Sequence, residues 1–414
     1  MKWIQAPFLL IRLIPLSIIL LLTGCSYFQN PSVRLCTDKS VFAAYTEVFN
    51  ASQDKYRLEI CYLEKPIDLL QSKNVVPDLL IGTGLWDPAL LEEFEPLNDL
   101  FENNHIDERG FYRELLNLGR KEGKQYLFPV NFNLPVIIME DQRPEDAASN
   151  MLIALDTLKQ QGVEYNVKQN GLYKKMGFSP LWNDRFLYYT AVLYGAHFQV
   201  DAQGQIKWNQ KELQDALEFL KAWIIETNGG YETERAFTER YMKIPDYRLL
   251  AEGRIRFFLS ESHTFLQIPQ EKRENLDFRW LSLNNRIPVA EDILFVGIPR
   301  GAKNIRGAKL FLTWLFQSST QTKLLEINRF KRLVGIFGIA NGFSSLIEVN
   351  ERVLPQPQYY PIFVGQIPSA DLLSFPLPKP KNWEEIKTKI IRPWLLESIV
   401  SPNSSSNLSS RLNQ

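Results

Sequence analysis

Net charge is the first thing this sequence does not have: 47 Lys and Arg balance 47 Asp and Glu over 414 residues. No long run of one sign appears, so the electrostatic footprint that nucleic acid requires is missing, and DNA and RNA are set aside as partners. Histidine is scarce. His105, His197 and His263 stand far apart and form no His-x-x-x-His pair, which argues against a zincin and against a common metal-uptake site. Surface or core placement is expected for all three, and neither a metal nor a cofactor is called for. No Gly-x-Ser-x-Gly elbow and no phosphate loop occur, so no catalytic residue is assigned. Gly82, Thr83 and Gly84 open like a dinucleotide fingerprint, but Asp87 stands where the third glycine should be, and a strand-end turn is the simpler reading. No internal repeat is present.

What the chain does have begins at its start. Lys2 and Arg12 flank an apolar opening, and residues 13–22 form an apolar run interrupted by Pro15 and Ser17. That run is too short for the roughly 20 residues of a spanning helix and reads as an export signal over residues 1–24. It ends in Leu22, Thr23, Gly24 and Cys25, which resembles the lipobox of bacterial lipoproteins. The resemblance implies lipidation at Cys25, a mature chain starting there, and a soluble extracytoplasmic body anchored to the cell membrane or envelope. A plain N-terminal anchor with an incidental cysteine is the alternative. Cys36 and Cys61 lie in apolar runs; a disulfide is possible if those runs are neighbouring strands, while two buried thiols are the plainer reading.

From Val33 onward, short apolar runs alternate with helical spacing, which predicts βαβ units and open, mainly parallel sheets flanked by helices, an α/β fold. Strands are expected at 33–36, 58–63, 77–82 and 126–130, with helices at 41–49 and 88–94. Length favours two lobes. A first crossing is expected near 134–140 and a return near 287–291, where two strands, 278–283 and 293–298, flank a polar, proline-bearing link. The expected division is 25–135 in lobe one, 136–287 in lobe two, 288–335 back in lobe one, and 336–400 in lobe two. The serine- and asparagine-rich tail, 401–414, is expected to be disordered. In such sheets ligands sit beyond the carboxyl ends of the strands, which draws attention to loops 37–40, 83–87 and 131–133.

Several blocks then line up in order. Gly123, Lys124, Tyr126, Phe128, Pro129 and Val130 come first. Tyr194, Gly195 and Ala196 lead through Asp201, Gly204, Ile206 and Asn209 to Ala216, Leu217, Phe219 and Leu220. A third block runs from Leu250 through Gly253 to Phe258, and a fourth from Ile298, Pro299 and Arg300 through Lys303 and Asn304 to Phe311, Leu315 and Gln321. Together they resemble the extracellular solute-binding proteins of ABC importers, particularly the class that serves sugars, over nearly all of 33–399. The resemblance implies the two-lobed periplasmic-binding-protein-like fold, capture of a small polar ligand, a sugar or oligosaccharide, by hinge closure, delivery to importer membrane subunits, and a monomer that is not an enzyme. The chain departs from the class at Ile138, Met139 and Glu140, at Arg256 and Phe257, and at Ala290, Glu291 and Asp292, positions where that class carries other residues.

Sugar recognition needs flat aromatic faces and planar hydrogen-bonding side chains. Trp86, Trp182 and Phe132 are candidates for the first. Asp38, Thr83, Asn131, Asn133, Asn183, Glu261, Glu291 and Asp292 are candidates for the second. Packing at a lobe edge is the competing role for each tryptophan, and turns or caps for the polar residues. Trp208, Trp314 and Trp394 are expected in the core. A carboxylate pair such as Glu261 with Asp292 also admits an exported carbohydrate-active hydrolase, and a sensor or scaffold that kept the fold without transport is a third reading.

Overall fold

The computed structural model describes residues 30–71, 76–141, 150–201, 203–330, 335–401 and 407–412. The export signal and Cys25 lie outside the described residues. Strand β1 (Ser32–Thr37) turns Val33 and Leu35 inward, and helix α1 (Phe42–Ser52) covers the sheet with Phe42, Tyr45 and Phe49, one stripe at helical spacing. Strands β2 (Arg57–Tyr62) and β3 (Leu79–Gly82) pair with β1 on either side, both parallel to it. All six residues of β4 (Leu127–Phe132) are buried, as expected of a strand covered on both faces. Only Asn133 and Leu134 separate β4 from β5 (Pro135–Glu140), which already belongs to a second sheet.

That second sheet adds β6 (Leu152–Ala154), β7 (Phe258–Glu261) and β8 (Leu276–Ser282) in the order β7-β5-β8-β6. Its helices include α2 (Leu155–Tyr165), α3 (Asp184–Leu193), α4 (Gln210–Lys221) and the short α5 (Ser262–Gln267). The chain returns through β9 (Ile287–Pro288) to β10 (Leu294–Gly297), helices α6 (Ile305–Leu315) and α7 (Ser318–Phe330), and β11 (Phe343–Ser344). The first sheet is therefore ordered β11-β4-β10-β3-β1-β2. A third passage, β12 (Leu373–Ser374), pairs parallel with β9 at the crossing. Beyond it, α8 (Trp383–Ile386), a wide helical turn at Lys387–Ile391 and α9 (Arg392–Val400) form one rod that packs on the second lobe. This is a two-lobed α/β architecture of the periplasmic-binding-protein kind.

Five expectations change. Both sheets are mixed rather than mainly parallel: β10 enters from the other lobe and runs antiparallel to β3 and β4, while β5 runs antiparallel to β7 and β8. Residues 336–400 do not lie wholly with the second lobe, because β11 pairs with β4 in the first sheet. Within 88–94 only a single turn, Leu91–Glu93, is helical. The tail is structured at α10 (Leu408–Leu412), where Asn407 accepts from the Ser409 amide, Leu408 is buried in the second-lobe core, and Arg411 pairs with Glu397. Two leucines supply the apolar area that the serine-rich composition concealed. The cysteines also resolve away from the plainer reading: register places Cys36 opposite Cys61, Cα to Cα 4.6 Å, and they form a disulfide. Among the described residues no helix is long and apolar enough to cross a membrane.

Candidate binding site at the lobe crossing

Three chain passages meet where the sheets join. The Ala290 amide donates to the Asn133 carbonyl, the Ser262 amide to the Leu134 carbonyl, and the Val289 amide to the Ser374 carbonyl. Beside this knot opens a cavity of about 170 Å³ walled by α3, the end of β7, the return segment 289–292, Ser374 and Pro376, and the C-terminal rod.

Helix α3 supplies one wall by spacing alone. Asn183 caps it by accepting from the Arg185 amide, and Arg185, Tyr188, Tyr189 and Val192 then fall on one face at i, i+3, i+4 and i+7. Glu261 closes β7 opposite Pro135, where β5 enters the sheet, and His263 follows in the first turn of α5. Glu384 and Lys387 come from the C-terminal rod.

Two carboxylate-centred clusters fill this space. Glu291 is almost fully buried. Tyr188 donates to its Oε1 at 2.8 Å and the Trp383 indole N–H to its Oε2 at 2.5 Å; Lys379 lies 3.0 Å from Oε1 and Lys387 3.4 Å from Oε2. Burial works against its ionisation, but the two ammonium groups and the two donated hydrogen bonds outweigh it and hold the carboxyl at about 2. Glu261 is the second centre. Its Oε1 accepts from the Tyr189 hydroxyl at 2.9 Å and faces Arg185 at 3.1 Å, while Oε2 lies 3.7 Å from His263 Nδ1. Asp292 adjoins it, and Asn133 Nδ2 reaches Asp292 Oδ2 at 3.5 Å. Burial first, then the Glu261 charge, pushes Asp292 above the usual carboxylate range. Burial likewise raises both tyrosines well above 10, with the carboxylates they face adding to it.

Of the residues expected to bind ligand, the structure brings Glu261, Glu291 and Asp292 together in the cavity, with Asn133 bracing Asp292 from behind. The others are placed elsewhere. Asp38 pairs with Lys39 and Thr83 is exposed. Trp86 is buried against Phe295, and Phe132 packs among Tyr112, Phe343 and Phe375. Asn131 donates to the carbonyls of Ile339 and Ala340. Trp182 stacks on Phe237, and Asn183 is a cap. Among the tryptophans expected in the core, Trp394 is buried, whereas Trp208 and Trp314 are half-buried. Sequence reasoning missed Arg185, Tyr188, Tyr189, His263, Lys379 and Lys387. The α3 face was readable from its spacing; Lys379, in a proline-rich stretch, carried no signal.

Loop 83–87 meets the C-terminal segment from the first lobe. Gly84 takes φ +74°, and a Cβ there would stand 3.0 Å from the Lys381 carbonyl oxygen; Asp87 Oδ2 accepts from the Lys381 amide. A side chain at Gly84 would be disfavoured both by backbone strain and by that contact.

The fold has known counterparts. No protein-family model and no curated protein sequence matches the chain. Among solved structures it is similar to the sugar-binding protein MalE from Xanthomonas citri, with TM-score 0.68 and 15% identity, covering 92% of this chain and 95% of that one. A sugar transporter from Rhizobium etli in an open conformation gives TM-score 0.67 at 10% identity, over 92% and 98%. An ABC substrate-binding protein from Listeria monocytogenes in complex with cycloalternan gives 0.61 at 13%, over 93% and 96%. At these identities the likeness establishes the fold, and the function is argued from the site.

Proposed function

We propose that the chain is a lipid-anchored extracytoplasmic solute-binding protein that captures a sugar or oligosaccharide by closure of its two lobes and hands it to an ABC importer. The observation that carries this reading is the cavity at the lobe crossing, where planar carboxylate and guanidinium groups and the tyrosine pair Tyr188 and Tyr189 converge beside the return segment 289–292. Such groups match the hydroxyls and the apolar face of a pyranose. Ligand contact with crossing segments would bias their arrangement, which is how a binding protein converts occupancy into closure. The Cys36–Cys61 disulfide suits an oxidising compartment outside the cytoplasm. Lipidation at Cys25 is tested by incorporation of a labelled fatty acid that Cys25→Ser abolishes.

A thermal-shift panel of mono- and oligosaccharides tests capture. Saturation at about 100 times the dissociation constant stabilises the folded state by about 2.7 kcal/mol. Small-angle scattering of the responsive pair should show a smaller radius of gyration than the free protein. Silence across the panel with unchanged scattering would refute the reading. Glu261 and Asp292 offer oxygens within 4.8 Å of each other, so a chromogenic glycoside is included; turnover lost in Asp292→Asn would replace capture by hydrolysis.

A further inference from the structure

We propose that Glu261, His263 and Asp292 form a site for one divalent transition-metal cation, with zinc the best match. One atom from each side chain, a carboxylate oxygen or an imidazole nitrogen, lies within 4.8 Å of the other two. Ligands at about 2.0–2.2 Å around a tetrahedral zinc stand about 3.3 Å apart, so the 3.7 Å between Glu261 Oε2 and His263 Nδ1 needs only a small side-chain adjustment. One imidazole and two carboxylates form a mixed nitrogen and oxygen set, which suits zinc or manganese better than calcium, a cation that gathers six to eight oxygens.

A second observation is independent of proximity. His263 Nδ1 and Asp292 Oδ1 are both buried and both lack a hydrogen-bond partner. Buried polar atoms are nearly always paired, and two orphans beside the same carboxylate point to a shared cation. The rest of each group is already held in place. Tyr189 and Arg185 occupy Glu261 Oε1, leaving Oε2 towards His263; Asn133 Nδ2 approaches Asp292 Oδ2, and Asn133 itself accepts from Ser262 Oγ at 2.8 Å. This is the supporting layer of hydrogen bonds that orients metal ligands.

Position gives the site a consequence. Glu261 and His263 belong to the second lobe, whereas Asp292 lies on the return segment between β9 and β10. A bound ion would tie that segment to the lobe, and three protein ligands leave a coordination position open to an oxygen of whatever enters the cavity. From sequence alone Glu261 pairs with Asp292 but His263 stands aside, because no metal-binding spacing links 261 and 263 to a third ligand nearly thirty residues on.

Calorimetric titration of the chelator-stripped chain with zinc chloride tests the site, with manganese and calcium chloride as comparators. One ion per chain is expected, bound at least tenfold more weakly by His263→Ala and by Asp292→Asn, and unchanged by His105→Ala and His197→Ala. X-ray absorption at the zinc edge should report a shell of one imidazole nitrogen with oxygens. Affinity unaffected by His263→Ala and Asp292→Asn, or no zinc bound at millimolar concentration, would overturn the proposal. Circular dichroism confirms that each variant is folded, and the sugar panel run on metal-free protein separates failure of this site from failure of ligand capture.

Discussion

Glu291→Gln probes a buried carboxylate held by Tyr188, Trp383, Lys379 and Lys387. The carboxyl sits at about 2 against an ordinary 4.5, a difference of about 2.5 pH units, which at 1.36 kcal/mol each amounts to about 3 kcal/mol of preferential stabilisation of the charged form. Because the folded value is depressed, this contribution is complete above about 4.5 and disappears as pH falls towards 2. Replacing the charge by an amide also strands its partners. Lys379, only 4% exposed, keeps the Phe198 carbonyl as an acceptor but loses its counter-charge, whereas Lys387 still has Glu384. Breaking a buried pair from one side costs about 3–5 kcal/mol in general, so both routes give the same size of effect. In calorimetry at pH 7 the unfolding step that includes the second-lobe core, where Phe198 and Trp383 lie, should drop by roughly 6–12 °C, and the difference from the parent should shrink towards pH 3. Glu384→Gln is the control: that carboxylate is 67% exposed, and its loss should cost under about 1 kcal/mol. Glu291→Gln within about 0.5 kcal/mol of the parent at pH 7 would refute the reasoning.

Reducing the Cys36–Cys61 bridge, or replacing both cysteines by serine, releases a 25-residue separation and should destabilise the first lobe by about 3 kcal/mol, read from denaturant midpoints with and without reductant. Glu234 is buried, and burial lifts its carboxyl to about 7 against the hydrogen bonds from Ser179 and Asn228. A raised carboxyl costs stability as pH climbs from about 4.5 through 7, here about 3 kcal/mol, and Glu234→Gln should flatten that part of the pH–stability curve. Trp182→Phe keeps the stack on Phe237 and removes a buried indole N–H that lacks a partner; stability should stay within about 1 kcal/mol of the parent, and sugar affinity should not change. Glu261→Gln should weaken the retained sugar at least tenfold in calorimetric titration, whereas Trp86→Phe should leave it alone.

Much of the fold was legible in the chain because it is written in local pattern. The runs around Val33, Leu58, Leu79, Phe128, Phe278 and Phe295 all form strands, and the proline-bearing stretch near 287–291 lies between the last two of them. Strand direction was not legible. Whether β10 runs with or against β3 depends on which lobe the chain is returning from, and no residue in Leu294–Gly297 encodes that. Pairing partners distant in sequence were hidden for the same reason: β11 reaches β4 across more than 200 residues, and the opposition of Cys36 to Cys61 depends on a register that side-chain type cannot specify.

The site was half legible, and the division follows from what each side chain costs to bury. Trp86, Trp182 and Phe132 were candidates because aromatic rings suit sugars, yet a ring placed next to a sheet gains more from packing, and all three have found other rings. Carboxylates cannot disappear into a core in that way. A buried Glu or Asp needs counter-charges or donors, so Glu261, Glu291 and Asp292 remained at the crossing and drew Arg185, Lys379, Lys387 and the two tyrosines around them. The three are not equivalent. Both oxygens of Glu291 are already taken, which makes it a brace that orients Tyr188 and Trp383 rather than a contact for an incoming molecule. Asp292 Oδ1 keeps lone pairs that no donated hydrogen bond occupies, and Glu261 Oε2 faces His263 Nδ1 at 3.7 Å. On the proposed reading, selectivity of the cavity turns on the short stretch between those two carboxylate oxygens, next to His263.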